Sequence, residues 1–361
     1  MSIRTNPMKA VDVLLKRLRR TRSIFQERGR NEPFDGKSEK LSQELEKIND
    51  LFLRVKRNED ELLDTLTEVY GRLGKLDRKR ILQLGRWQDS TSHHIEVENE
   101  EFLKELRFLK GLKYLSLRGI SRIFKLPSSI VQLKNLEILD LKACHNLETL
   151  PSDISSMKSL TNLILSQCNL LDAMPKGIEK LTQLKVLKGF VINSFTKTHC
   201  RILDLSRLNQ LRRLSIHIKA EAAIKDIDFE NLKQFSALEH LKISWGVSDT
   251  SYSDIPITLP SKLKKLHLEC FFGQKIPKLK VVELFSALHE LKITGGKLQS
   301  MNHHNRNKMR KNVEILHLKY LKDLKVDLRD LQKIFPRLKY VEMKGISNHT
   351  YTEWSIDQTG R

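Results

Sequence analysis

Hydrophobic residues recur along most of the chain in one pattern: leucine, two residues, leucine, one residue, leucine. It is strict at Leu112/Leu115/Leu117, Leu136/Leu139/Leu141 and Leu160/Leu163/Leu165. Looser versions follow at Leu184/Leu187, Leu211/Leu214/Ile216, Leu238/Leu241/Ile243, Leu263/Leu266/Leu268, Leu288/Leu291/Ile293, Val313/Leu316/Leu318 and Leu338/Val341/Met343. Successive first positions are 24, 24, 24, 27, 27, 25, 25, 25 and 25 residues apart. Other columns keep the same period: Leu126-Pro127, Leu150-Pro151 and Met174-Pro175, then Ile130, Ile154 and Ile178, then Leu133, Met157 and Leu181. Alternate side chains of an extended segment point to opposite sides. Each unit therefore predicts a short strand whose leucines face inward and whose intervening residue faces outward.

One such unit cannot bury its own leucines, so neighbours must stack. A period of roughly 20–29 residues is that of leucine-rich repeats. The predicted fold class is α/β, a leucine-rich-repeat solenoid with a curved parallel β-sheet on its concave face. The return segments are expected to be helical or 3₁₀, as at 226–237, where Phe229, Leu232 and Phe235 fall at helical spacing. Leu82-Gln83-Leu84 reads as an irregular first strand. The repeat domain is expected over residues 77–346, with a polar tail at 347–361.

The pattern changes before the repeats. Apolar residues at 41, 45, 48, 52 and 55, then 62, 66, 69, 73 and 76, alternate by four and three with one break at Glu59. This heptad spacing predicts a coiled coil or a helical hairpin over 41–76. The segment can self-associate or dock within its own chain. Residues 1–40 read as a basic, flexible or short-helical N-terminal segment, and residues 16–22 within it as a candidate nuclear or organellar address.

Composition narrows the function classes. The chain has 59 leucines among 361 residues and only 6% aromatics, which fits a repeat core better than a sandwich or a Gly-rich nucleotide fold. Cys144, Cys168, Cys200 and Cys270 have no CxxC spacing and read as reduced thiols of an intracellular protein. No stretch is long and apolar enough to span a bilayer, and the N-terminus has no secretory signal. The expected compartment is the cytoplasm, with the nucleus as an alternative. No HExxH, G-x-S-x-G or catalytic Cys–His context occurs, so no enzyme, cofactor or metal is expected. Asp35-Gly36-Lys37-Ser38 imitates the end of a P-loop, but Asn31 stands where its first glycine would be. His303-His304 reads as a solvated or contact loop between repeats.

Three stretches resemble the repeat region of plant coiled-coil NLR disease-resistance proteins. They are residues 114–119 (YLSLRG), residues 139–151 (LDLKACHNLETLP), and residues 174–178 (MPKGI) with 187–190 (LKGF). In such receptors the repeats sense a pathogen effector or guarded host protein and restrain a nucleotide switch. This chain departs from them, with no P-loop, Walker B run or Met-His-Asp motif. The resemblance implies a non-catalytic recognition scaffold, regulator or decoy in defence signalling, with a pathogen effector or host signalling protein as partner. Asp60, Glu61 and Asp64 resemble the family's acidic coiled-coil motif, which packs against basic repeat residues. A repeat-type ubiquitin-ligase adaptor is the alternative, although no Leu-Pro precedes Leu126-Pro127.

The strand register assigns the partner-binding columns. The central one contains Ser116, Asp140, Ile164, Lys188, Lys242, His267, Lys292 and His317. The column before it contains Tyr114, Ile138, Val186, Arg213 and His240, with Lys265 and Glu290. The column after it contains Arg118, Lys142, Phe190 and His217, with Glu269 and Lys319. Tyr114, Ile138, Ile164 and Phe190 are the expected apolar anchors. Lys, Arg and His dominate the later repeats. The formal charge is +21. Residues 1–40 carry +6, residues 41–76 carry −2 and the remainder +17. A half-apolar, half-basic face suits a protein partner with an acidic patch. Polyanion binding is a further alternative, but no aromatic single-strand platform or nucleic-acid reader motif accompanies the charge.

Overall fold

The computed structural model describes residues 81–85, 101–193, 199–220, 222, 224, 226–246, 255–281, 287–301, 312–346 and 349–355. The heptad segment 41–76, its Asp60, Glu61 and Asp64, the basic segment 1–40 and His303-His304 lie outside the described residues. The chain forms two compact units: one runs to Leu160 and includes Gln167–Leu170, and the other comprises Thr161–Ser166 and everything from Leu171 onward.

The first unit has a short helix α1 (Glu101–Glu105) and three parallel strands, β1 (Ile81–Gln83), β2 (Tyr114–Ser116) and β3 (Ile138–Asp140). Leu82, Leu115 and Leu139 lie side by side in register. The expected irregular first strand is thus present, one residue earlier than the spacing of Leu82 and Leu84 indicates.

The second unit begins with β4 (Asn162–Ile164), β5 (Val186–Ile192), β6 (Arg213–Ile218) and β7 (His240–Trp245). A side pair, β8 (Ile257–Leu259) and β10 (Leu279–Val281), flanks β9 (Lys265–Phe271) in sequence and stands apart from the main ladder. The ladder continues with β11 (Glu290–Gly296), β12 (Ile315–Lys319) and β13 (Tyr340–Ile346). From β4 to β13 all neighbours in the ladder are parallel. Leu163, Leu187, Leu214, Leu241, Leu266, Leu291, Leu316 and Val341 form one continuous row across it.

That row is the core. The first-position residues of all ten repeats are buried, as are the inward residues of the strands. The returns are mostly 3₁₀ turns, each burying at least one apolar residue, such as Ile130, Ile154, Ile178, Leu205 and Leu232. Residues 226–237 contain helix α2 (Asp226–Glu230) followed by a 3₁₀ turn, Asn231–Gln234. Helix α3 (Leu328–Ile334) starts at Asp327, whose side chain accepts the Asp330 N–H at 2.7 Å, a satisfied N-cap.

Two backbone devices repeat with the sequence. The carbonyl just before or at the start of one strand accepts two N–H groups from the next repeat. Lys113 O takes Glu137 and Ile138, Arg212 O takes Glu239 and His240, and Lys264 O takes His289 and Glu290. The residue seven after the first position turns the chain with positive φ in both units, at Gly119, Ala143 and Gln167, and at Cys270, Gly295, Tyr320 and Gly345. At the same position Ile218 and Trp245 instead continue β6 and β7.

The 347–361 tail needs correction. Its residues His349–Ser355 form β14, antiparallel to β13, with Val341 opposite Trp354 and Ile346 opposite His349. An open strand edge exposes unpaired N–H and C=O groups, and β14 satisfies those of β13. A polar composition does not reveal such a strand, because backbone hydrogen bonds supply the pairing.

Two stability predictions follow from this packing. Leu163 is fully buried, so Leu163→Ala is expected to cost ~2–5 kcal/mol by leaving a cavity; denaturant unfolding checks it. Gln167 is exposed and held at φ 65°. Gln167→Gly is expected to stabilise by up to ~1 kcal/mol by relieving left-handed strain, read as a raised melting temperature.

Candidate functional site

The strand faces opposite the leucine rows carry the side chains expected to meet a partner. In the first unit, Ile81, Tyr114 and Ile138 lie in register and make a short apolar row. Ile81 is 67% exposed, and the spacing argument had not placed it on the face. Tyr114 Oη donates to Gln83 Oε1 at 3.0 Å, and burial raises its phenol pKa. Arg118 and Lys142 follow at the rim, both half-buried.

Ser116 and Asp140 are corrections. Both have the outward parity, yet Ser116 is 0% exposed and Asp140 8%. The Ser116 hydroxyl accepts the Arg118 N–H at 3.5 Å, and Asp140 Oδ1 accepts the Lys142 N–H at 2.9 Å. These short side chains close the turn after each strand, so they support the face without presenting a group to a partner.

In the second unit, Ile164, Val186 and Lys188 are half-buried on β4 and β5. Phe190 is not: it is 0% exposed and belongs to the core. Lys188 pairs with Ser215 and the next paired residue, Phe190, meets inward Ile216, so Gly189 is an extra residue in β5. Gly189 has φ +82°, and a Cβ there would lie 2.5 Å from the Leu165 carbonyl carbon. The bulge reverses the alternation, and the strict period-two reading beyond Lys188 fails for that reason.

From β6 to β13 the face carries six Lys or Arg side chains (Arg213, Lys242, Lys265, Lys292, Lys319 and Lys344), three glutamates and four histidines. It is more neutral than a basic surface, because the glutamates bind lysines of adjacent strands. Lys242 Nζ lies 2.8 Å from Glu269, Lys319 Nζ lies 2.6 Å from Glu342, and Lys265 pairs with Glu290. His317 Nδ1 lies 2.7 Å from Glu342, with Glu290 at 3.8 Å from its other nitrogen. The Lys319 contact, joined by that from His317, holds the Glu342 carboxyl below its ordinary pKa. The register placed Glu269 and Glu290 on the face; the pairing of the glutamates depends on side-chain reach between strands and leaves no mark in the spacing.

Two of the four histidines, His217 and His267, are held by hydroxyls. Ser244 donates its proton to Ile216 O at 3.2 Å, so it accepts one from His217 Nδ1, 3.0 Å away. His267 Nε2 lies 3.0 Å from Thr294 Oγ1. Burial first, then Lys242 and Lys292, lowers the His267 pKa to about 4. Burial also lowers that of His217, with Lys219 and Lys242 adding to it, and that of His240, with Arg213 and Lys265 adding to it. Lys292 lies between His267 and His317 in the central column and pairs with no carboxylate among the described residues.

Among the described residues, other chemistry is not assembled. Cys144 and Cys168 hydrogen-bond the Leu117 and Leu141 carbonyls at 3.2 and 3.1 Å. Burial pushes the Cys168 thiol far above its ordinary pKa, so both act as buried supports of the turn. Among the described residues, no group of three or more His, Cys, Asp or Glu is placed to hold a metal, and no helix is long and apolar enough to cross a membrane.

Residues 62–350 match the model of the family described as "Leucine-rich repeat region". No curated protein matches the chain. Among solved structures, it is similar to a leucine-rich-repeat protein of Leptospira interrogans, with 20% identity and a TM-score of 0.45 over 75% of this chain and 68% of that one. It is also similar to the functional domain of InlJ from Listeria monocytogenes, which includes a cysteine ladder, with 13% identity and a TM-score of 0.40 over 76% of this chain and 65% of that one. At these values neither likeness bears on what the strand face binds.

The lowered His267 pKa has a sign. The unfolded ring titrates near 6.5 and the folded one at about 4. Between those values the unfolded chain takes up a proton that the folded chain refuses. Stability is therefore intact above about 6.5, falls as pH drops toward about 4, and levels below it. The melting temperature should fall from pH 7 to pH 4.5, and less steeply in His267→Gln; equal slopes would remove His267 as a source.

Proposed function

We propose that this protein, which belongs to the leucine-rich-repeat family, is a non-catalytic recognition protein whose strand face holds a protein partner bearing an acidic patch. The observation that carries this reading is the set of cross-strand ion pairs Lys242–Glu269, Lys265–Glu290 and Lys319–Glu342. They fix long side chains in place before any partner arrives, which lowers the ordering cost of binding. Cations left over after this pairing give the face a positive bias, and such bias favours a negatively charged surface and rejects a positive one.

The finer reading rests on the plant NLR-like stretches at 114–119, 139–151 and 174–190. They support a scaffold, regulator or decoy in defence signalling, acting in the cytoplasm. The partner is then a pathogen effector or a host signalling protein. The apolar row Ile81, Tyr114 and Ile138 offers the first unit its own contact surface. Residues 41–76 serve self-association or docking.

The test uses the full chain as bait in extracts of infected and uninfected plant tissue. Arg213→Glu with Lys344→Glu reverses two exposed charges of the face. The expected result is a defined protein recovered with wild type and at least tenfold less with the double variant. Equal recovery by both would place binding elsewhere, and recovery of a cullin–Skp complex would favour the ligase-adaptor reading.

A further inference from the structure

Every glutamate on the face between β6 and β13 is already engaged. Glu269 holds Lys242, Glu290 holds Lys265 and approaches His317, and Glu342 holds Lys319 and His317. Each of these pairs joins one strand to the next. The pairing consumes Lys242, Lys265 and Lys319 and passes over Lys292. That residue is half-buried in the central column, flanked in register by His267 on one strand and His317 on the other.

We infer that Lys292 is the centre of a carboxylate-binding subsite on the strand face, and that its occupant is an acidic peptide segment of a protein partner. The inference rests on the recognition reading above and names the chemistry of the same face. The argument for the occupant is charge complementarity. A half-buried lysine with no described carboxylate of its own, among described neighbours whose acids are all committed, gains from a carboxylate brought by another chain. His267 stands beside it with its Nε2 at the Thr294 hydroxyl, and the column before presents Glu290 and Lys265, already paired with each other. An incoming carboxylate at Lys292 therefore meets a cation that no described carboxylate occupies, and displacement by one strand along the column meets His267 or His317 instead.

His267 supplies the reporter. Lys242 and Lys292 both press its pKa down, after burial. An anion bound at Lys292 offsets part of that pressure, so occupancy raises the His267 pKa and shifts its ring proton signals.

The experiment uses the full-length chain and an end-capped peptide of seven glutamates, with a single-stranded oligonucleotide of seven nucleotides and inorganic phosphate as comparison probes. The His267 ring signals are followed by NMR across pH with and without each probe, and affinity is measured at two salt concentrations. The expected result is a raised His267 pKa with the peptide and about tenfold weaker peptide binding by Lys292→Gln, as for loss of one charge-assisted contact. Lys262→Gln, an exposed lysine off the face, is expected to bind as wild type does. Three results overturn the inference: no peptide binding, equal binding by wild type and Lys292→Gln, or an oligonucleotide that binds more tightly than the peptide with the same Lys292 dependence. If only the peptide test fails while partner capture still depends on Arg213 and Lys344, the Lys292 subsite falls and the recognition reading stands. If the peptide binds at Lys292 while capture ignores the face, the reverse holds.

Discussion

The structure depends on a single constraint: no repeat can hide its own leucines. Each strand buries an inward row only because the strands beside it in the same unit supply the other walls of the row. In the second unit Leu187, Leu214, Leu241, Leu266, Leu291, Leu316 and Val341 follow one another in register, and all are buried. At ~25 cal/mol per Å² of apolar area, such a row is worth far more than any surface ion pair. The hydrophobic row therefore sets the register, and the charges adapt to it.

The face chemistry is a consequence. A fixed register of parallel strands about 4.8 Å apart puts Lys242, His267, Lys292 and His317 in one line. Lysines and glutamates on neighbouring lines are then within reach of each other. Exposed pairs of this kind contribute only ~0–1 kcal/mol each, too little to hold the fold but enough to order the side chains. Burial and the adjoining lysines hold the His267 pKa at about 4, so this histidine adds no charge to the face at physiological pH.

Much of this was legible in the residues. Ten first positions predicted ten strands, and ten strands begin two residues after them; the 3₁₀ returns and the extra first strand were legible too. Three things were not. Gly189 inserts one residue into β5; a lone glycine at the inward position of a strand is a bulge signal, but strict alternation passes over it and puts Phe190 outside instead of in the core. Ser116 and Asp140 have outward parity, but their short side chains fold back on the turn. β14 answers an unpaired backbone edge, which a polar sequence does not announce. The candidate site was legible as a set of columns; which cations are neutralised, and that Lys292 is passed over, depended on distances between strands.

Recognition by this face requires that its backbone be rigid before a partner arrives, and amide hydrogen exchange on the full-length chain tests that most directly. Stacked leucines predict that the amides of β6, β7, β9, β11 and β12 exchange slowly and as one cooperative block, well behind the turns that connect them. Exchange in any two neighbouring strands of that set at the rate of an unfolded chain would contradict the shared core, and with it the fixed placement of every side chain on the face.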